Sequence, residues 1–213
     1  MIRVASHPRS GTNLLCKYLK EVFYPDVNLS VSSGTAGHWQ ARSVVPGNEY
    51  GKLFLSHQFF GKGVEGVTYM YRDGRDVMVS LFNTKEFLPE YLRSAPFSTF
   101  LKSDIQFHGS PGTKSVRSLS PVKHWHDHLV SWEGNWKACV RYSDIVNSPM
   151  EVMEEIAQAY DISLVGGIET ISHRVGMFPG KGFPGIWEQY FSKDDAEYFY
   201  SIVPKDFWGL RDV

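Results

Sequence analysis

The sequence predicts an α/β fold in three layers, with a central parallel β-sheet flanked by helices on both faces. Short apolar runs alternate along the chain with longer segments in which apolar residues recur at helical spacing. Two of the runs pass directly into polar turns that begin a helix, which is typical of a parallel sheet. The 213 residues suffice for one well-packed core, so we expect a single domain over 1–213.

Strands and helices are predicted from these two periodicities. Strands are expected near 2–6, 52–56, 67–71 and 137–142, and helices near 12–23, 76–92, 121–133, 149–160 and 193–203. Ser148 followed by Pro149 and Glu151 predicts a capping box at one helix start, and Ser192 with Asp195 predicts another.

The first strand, turn and helix have the arrangement of an anion-binding site. The turn Pro8-Arg9-Ser10-Gly11-Thr12 separates the strand from apolar residues at helical spacing. At a helix N-terminus free backbone N–H groups face outwards and attract a phosphate. The Gly-Lys-Ser/Thr of a nucleotide-triphosphate loop is missing from the sequence. The turn therefore indicates a phosphate ester other than ATP.

A second turn supports this interpretation. Val67–Tyr71 is rich in β-branched and aromatic residues, and it is followed by the polar turn Arg72-Asp73-Gly74-Arg75-Asp76. Arg72 is thus expected at the carboxyl end of a strand, and Ser80 on the next helix. That edge of an open parallel sheet is where ligands bind.

Composition restricts the classes of partner. A net charge of −1 provides no field for nucleic acid or an acidic membrane surface. Cys16 and Cys139 are interpreted as small buried hydrophobes in a reducing compartment. The first strand begins almost at Met1 and no apolar run has the length of a membrane span. We expect a cytoplasmic protein that binds neither nucleic acid nor membrane.

Five motifs, in order along nearly the whole chain, resemble the family of sulfotransferases that use 3′-phosphoadenosine 5′-phosphosulfate (PAPS). The family's P-K-S-G-T-T-W loop is similar to 8–14, and its Y-x-x-R-x-x-R-D-x-x-V-S segment is similar to 69–80. Its W-x-D-H-V-x-x-W helix resembles 125–132, and its V-x-Y-E-D resembles 140–144. The C-terminal R-K-G-x-x-G-D-W-K-x-x-F-T resembles 180–192.

The resemblance implies a P-loop-like three-layer sandwich and a reaction. The sulfuryl group of PAPS would pass by in-line displacement to a hydroxyl or amine of a small-molecule or glycan acceptor, leaving adenosine 3′,5′-bisphosphate. No metal is implied. His57 matches the family's catalytic base, since it ends a segment similar to K-T-H, and imidazole titrates near neutral pH. Arg9 matches the loop lysine that contacts the leaving oxygen.

The same resemblance implies a set of cofactor-binding residues. For the 5′-phosphate these are Ser10, Gly11, Thr12 and Asn13, for the 3′-phosphate Arg72, Ser80, Lys181 and Gly182, and for adenine Tyr142. A structural role in bracing the second turn is expected for Arg75 and Asp76.

Three departures from the family pattern keep other functions open. Leu55, Gly180 and Leu14 stand where the family has Lys, Arg and an adenine-stacking Trp. One alternative is a nucleotide or small-molecule kinase, against which the missing Gly-Lys-Ser/Thr argues. The other is a non-catalytic nucleotide-binding relative that has lost the chemistry.

Two further features leave the acceptor and the assembly open. The segments 28–51 and 94–120 are rich in Gly, Ser and Pro, and we expect loops over the ligand edge. Aromatic residues in 84–120 allow a phenol, sterol, other alcohol, amine or glycan as acceptor, and formation of a homodimer is equally open.

A run of histidines, His124-Trp125-His126-Asp127-His128, raises the question of zinc. On a strand its three imidazoles would share a face, whereas on a helix only His124 and His128 align. The spacing of Trp125, Leu129 and Trp132 favours the helix, and therefore no metal site.

Overall fold

The computed structural model describes residues 2–25, 40–42, 53–57, 59–61, 65–107, 117–168 and 184–207. The strands are β1 (Arg3–Ser6), β2 (Gln40–Arg42), β3 (Leu53–Ser56), β4 (Val67–Tyr71), β5 (Ile105–Phe107), β6 (Arg117–Leu119) and β7 (Trp136–Arg141). The helices are α1 (Thr12–Phe23), α2 (Gly74–Phe82), α3 (Glu90–Arg93), α4 (Phe97–Lys102), α5 (Pro121–Trp132), α6 (Tyr142–Asn147), α7 (Pro149–Tyr160) and α8 (Lys193–Ile202).

The main sheet has the strand order β2-β3-β1-β4-β7, which confirms the predicted fold class. From β3 to β7 all neighbours are parallel, with Val4 beside Leu55 and Ala5 beside Tyr69. Only β2 runs antiparallel, at the edge. The chain passes from β1 to one side of it and then crosses to the other, so the strand order reverses at β1.

Helices cover both faces of this sheet, and strand residues alternate between the two cores. Tyr69 faces the layer of α2, α4, α5 and α8, where Trp125 and Trp132 are fully buried. Met70, the next residue, faces α1 and α7 instead. No helix of the described segments is long and apolar enough to cross a membrane.

The predicted helix over 76–92 is wrong, because it is broken after α2. Thr84 is buried, and its hydroxyl donates a hydrogen bond to the Ser80 carbonyl at 2.7 Å. Such a side-chain bond competes with continuation of the helix. A short 3₁₀ turn at Lys85–Phe87 follows, and Pro89 then precedes α3.

The prediction of loops over 94–120 is also wrong. The segment contains α4 and the two-stranded antiparallel sheet of β5 and β6, and the other predicted loop, 28–51, contains β2. Helix α6 was not predicted either. The missed elements have three to six residues, too few to show either periodicity clearly, and they lack the β-branched and aromatic run by which β4 was predicted.

The two predicted capping boxes had different outcomes. Ser192 and Asp195 form theirs, each side chain accepting from the backbone N–H of the other residue. The Ser148 side chain makes no capping bond, although Pro149 does begin α7 as predicted. Ser148 also ends α6, where its N–H donates to the Asp144 carbonyl at 2.7 Å, so its backbone serves both helices.

Candidate anion-binding and catalytic site

The ends of three adjacent parallel strands bring the candidate residues to one edge of the sheet. The turn that contains residues 8–12, called the anion loop from here on, follows β1. His57 follows β3, and Arg72 follows β4. Because the strand order reverses at β1, the helices that follow β1 and β4 lie on opposite faces of the sheet, the arrangement in which open α/β sheets bind ligands.

The loop after β1 has an unusual backbone that suits an anion. Arg9 has φ 72° and Gly11 has φ 96°, so two residues of the turn are left-handed. A non-glycine residue rarely adopts that conformation, and it occurs often at binding sites. The turn delivers the chain to α1, whose first N–H groups have no partner within the helix. These N–H groups are available to a phosphate.

Both the backbone conformation and the neighbouring side chains require a glycine at position 11. A Cβ placed there would lie 2.4 Å from Cδ2 of Tyr142 and 2.8 Å from Cε of Met70. Tyr142 is the first residue of α6 and follows the strand end at which we expected it. Its half-buried ring therefore covers the loop from the side of β7.

Arg72 lies beneath the same ring. It is 6% exposed, its guanidinium carbon is 4.4 Å from the Tyr142 ring centroid, and Nη2 is 3.8 Å from Oδ2 of Asp76. Within the described part of the chain, Arg72 Nε and Ser10 Oγ are buried polar atoms without a hydrogen-bond partner. Buried donors without partners are costly, so both fit a site whose ligand supplies the acceptors.

Arg9 connects the loop to α2. Its Nε donates to the Ser80 hydroxyl at 3.0 Å, which brings the two predicted phosphate contacts together. Burial, and then the charge of Arg72, lower the pKa of Arg9. Two cations with one carboxylate nearby favour a multiply charged anion between them.

His57 is held by the end of β1. Its Nδ1 lies 2.8 Å from the Ser6 carbonyl oxygen and 3.3 Å from the Ser6 hydroxyl. The Ser6 hydroxyl in turn lies 2.6 Å from the Thr12 hydroxyl, on the first residue of α1. The imidazole is half-buried, so part of it remains accessible to a ligand.

Most of the predicted site residues therefore lie around one loop. The structure brings together His57, Arg9, Ser10, Gly11, Thr12, Arg72, Ser80 and Tyr142, with Asn13 following on α1. Lys181 and Gly182 lie outside the described residues, as does Gly180. Ser6 was not among the predicted residues, although its place at the end of the first strand was a signal that could have identified it.

The second turn is braced as expected. Arg75 donates to Asp73 and to the Tyr200 hydroxyl, and its guanidinium carbon stacks 4.0 Å from the Trp187 ring centroid. Asp76 accepts from the backbone N–H groups of Gly185 and Trp187 at 2.9 and 3.1 Å. These bonds hold the start of α2, and with it Arg72, in place.

A buried histidine cluster behind the loop was not predicted. His7 Nε2 lies 2.9 Å from His124 Nδ1, and the His128 ring lies edge-on to His7 at 5.4 Å. His124 and His128 share one face of α5, so the helical prediction is confirmed. Among the described residues no group of three His, Cys, Asp or Glu side chains has the arrangement of a metal site.

No protein-family model matches this chain, and no curated protein sequence does. A solved sulfotransferase shares its fold. The crystal structure of mouse sulfotransferase SULT7A1, complexed with PAP, superposes with a TM-score of 0.59 over 94% of this chain and 82% of the mouse chain. The two sequences are 16% identical, so the likeness concerns the fold, and the function of this chain must be argued from its own site.

Proposed function

We propose that this protein is a PAPS-dependent sulfotransferase that acts on a hydroxyl or amine of a small-molecule or glycan acceptor. One observation carries the proposal. The buried Arg72, the half-buried Arg9, a left-handed glycine loop at a helix N-terminus and a histidine converge at the carboxyl edge of a parallel sheet. The mouse sulfotransferase with the same fold was crystallised with PAP, which is adenosine 3′,5′-bisphosphate, the product that PAPS leaves. This supports the choice of cofactor.

The cofactor, when bound, supplies an activated sulfuryl group and a phosphate leaving group. His57 would take the proton from the acceptor, because a neutral imidazole accepts a proton at physiological pH. Arg9 would stabilise negative charge on the leaving oxygen. In such a transfer most of the catalysis comes from positioning and electrostatic stabilisation, which fits a site built from fixed cations and backbone N–H groups.

The 3′-phosphate distinguishes this proposal from a kinase. Arg72 and Ser80 are the described residues proposed to bind it, and Lys181 with Gly182 would join them. The buried Arg72 Nε, which has no hydrogen-bond partner among the described residues, supports this assignment. Tyr142, which already stacks on Arg72, would approach the adenine.

Thermal unfolding with three ligands tests the cofactor. At a hundredfold excess over Kd a ligand adds about 2.7 kcal/mol to the free energy of unfolding. For a domain of this size the melting temperature should rise by roughly 5–11 °C with adenosine 3′,5′-bisphosphate. ADP and ATP–magnesium should have little effect. A rise with ATP–magnesium alone would establish a kinase-type site in place of the proposed one.

His57→Ala tests the proposed base. We expect the variant to bind the bisphosphate like the wild type and to lose sulfuryl transfer from labelled PAPS to a panel of phenols, alcohols and amines. His126→Ala, on the partly exposed side of α5, is the matched control and should keep both properties. Transfer at the wild-type rate by His57→Ala would remove His57 from the mechanism.

A further inference from the structure

Ser6 connects His57 to the anion loop through two different groups. The carbonyl oxygen of Ser6 is 2.8 Å from His57 Nδ1, and its hydroxyl oxygen is 3.3 Å from the same nitrogen. The hydroxyl is also 2.6 Å from that of Thr12, the first residue of α1. Ser6 is fully buried and Thr12 nearly so, which shields these bonds from water.

The carbonyl determines which nitrogen of His57 carries the proton. A carbonyl oxygen can only accept, so a bond of 2.8 Å to it requires that Nδ1 carry a hydrogen. In a neutral imidazole the other nitrogen, Nε2, then holds the lone pair. The nitrogen that accepts a proton is thereby chosen by the backbone of β1, before any ligand binds.

The same proton permits a directed chain of hydroxyl groups. With Nδ1–H pointing at Ser6, the Ser6 hydroxyl can accept on that side and donate its own hydrogen to Thr12. The Thr12 hydroxyl has then received a hydrogen bond and has its own hydrogen left to donate. At the N-terminus of α1 an anion is the acceptor for which the surrounding N–H groups are arranged.

We propose that Ser6 is a positioning residue, whose carbonyl sets the tautomer of His57 and whose hydroxyl couples His57 through Thr12 to the phosphate group in the loop. This inference rests on the proposed function for the identity of that phosphate. The chemical consequence of this coupling is that an anion in the loop polarises each donor in the series of hydrogen bonds from Thr12 through Ser6 to His57. The positive charge that develops on His57 during proton transfer is thereby stabilised.

The free protein provides the first test. Nitrogen NMR of the labelled protein distinguishes the two tautomers of His57, with His57→Ala used to assign the signals. We expect the Nδ1–H form in the wild type. A predominant Nε2–H form would overturn the proposal, whatever the protein binds.

Ser6→Ala tests the hydroxyl, since it leaves the carbonyl in place. Adding adenosine 3′,5′-bisphosphate should move the His57 Nδ1–H proton signal in the wild type and much less in Ser6→Ala. Turnover should fall roughly tenfold, the effect of one lost hydrogen bond, while the Kd of the bisphosphate and KM stay within about threefold. Ser6→Thr should restore the signal movement and the rate.

Thr68→Val is the matched control. Thr68 is a fully buried strand hydroxyl on β4, bonded to the Tyr160 hydroxyl at 3.2 Å, and it pairs with Val4, two residues before Ser6 on β1. It should cost similar stability and leave the His57 signal and turnover unchanged. If Ser6→Ala behaves like Thr68→Val, the hydroxyl has no coupling role. If the wild type fails to bind the bisphosphate, the proposed function and the coupling both fall, whereas the tautomer result stands by itself.

Discussion

Gly11 is the residue at which backbone conformation and packing impose the same requirement. Its φ of 96° disfavours any side chain by about 1–2 kcal/mol, and the Tyr142 ring leaves no room for a Cβ. We expect Gly11→Ala to lower the free energy of unfolding by more than about 2 kcal/mol, as overpacking adds to the backbone strain. Denaturant unfolding measures this loss.

A double-mutant cycle separates the two causes. In the Tyr142→Ala background the clash with Tyr142 is gone, and the remaining close atom, Cε of Met70, is the end of a flexible side chain that can move away. Adding Gly11→Ala should then cost only about 1–2 kcal/mol. Gly134 supplies the control, because its φ is 72° and a Cβ there meets nothing within 4 Å. Gly134→Ala should cost about the same as Gly11→Ala does after Tyr142 is removed. Equal costs of Gly11→Ala in both backgrounds would exclude the steric explanation.

Arg72 is the residue whose proposed role depends on one phosphate. Arg72→Gln should weaken binding of adenosine 3′,5′-bisphosphate by about 10- to 100-fold, as expected for loss of a charge-assisted hydrogen bond worth roughly 1.5–3 kcal/mol. Binding of AMP, which lacks the 3′-phosphate, should change little. Isothermal titration measures both ligands.

A second arginine serves as the control for charge alone. Arg3 is exposed at the opposite end of β1, so Arg3→Gln alters the net charge equally at a distance from the loop. It should leave the affinity for the bisphosphate intact. A loss of bisphosphate and AMP affinity by the same factor in Arg72→Gln would show that Arg72 does not select the 3′-phosphate.

At the scale of elements, α8 depends on one carboxylate. Asp195 is buried, accepts from the N–H and the hydroxyl of Ser192, and also accepts from the hydroxyl of Ser98. Burial alone would raise the pKa of Asp195, but these bonds, followed by the charge of Lys102, hold that pKa below its ordinary value. The carboxylate is therefore more stable in the folded protein than in the unfolded chain.

Asp195→Ala should consequently destabilise the protein by about 1–3 kcal/mol, since it leaves the Ser192 N–H and two hydroxyls without their acceptor. Asp194→Ala is the control, because Asp194 occupies the same first turn and is exposed. Both changes remove one negative charge from the helix N-terminus, and only the first removes buried bonds. Equal losses of melting temperature would assign the whole effect to the helix dipole.

The elements also show how far the sequence could predict the fold. Helices with a clear period, such as α1, α5 and α7, and the strand β4, rich in β-branched and aromatic residues, were predicted to within a residue or two. The end of α2 was not, since it depends on burial of the Thr84 hydroxyl, a tertiary contact. The residues of the loop after β1 were predicted, because their motif is continuous in the sequence. Ser6 was not, because it too depends on a tertiary contact: it meets His57 only when β1 and β3 pair.

At the scale of the whole molecule, buried histidines join the sheet, the loop and α5. His7 donates from Nδ1 to the Pro8 carbonyl at 2.8 Å, so its Nε2 accepts from Nδ1 of His124. Phe59 packs edge-on against His124 at 5.2 Å, and the Tyr69 hydroxyl lies 2.9 Å from Nδ1 of His128. This arrangement has no place for an added proton on His7, because its Nδ1 already donates to Pro8 and its Nε2 already accepts from His124.

Both of these histidines resist protonation in the folded state. Burial, followed by the charges of neighbouring histidines, lowers the pKa of His7 well below its ordinary value. Burial lowers the pKa of His124 from 6.5 to about 4, although Asp127 opposes the shift. In the unfolded chain both would titrate near 6.5. Between pH 6.5 and 4 the unfolded state therefore binds more protons, and stability must fall as the pH falls.

The free energy of unfolding should accordingly decrease below pH 6.5 by roughly 1 kcal/mol per pH unit for each such histidine. The carboxylate of Asp195 adds its loss only at lower pH, since its folded pKa lies below the ordinary value. Denaturant unfolding from pH 7 to pH 4.5 measures the slope, and His124→Gln should reduce it by about half without abolishing it. His126→Gln, a change at a half-buried histidine in the same helix, is the control for the substitution itself. A stability that is flat over this range would mean that His7 and His124 take up protons in the folded protein as readily as in the unfolded chain.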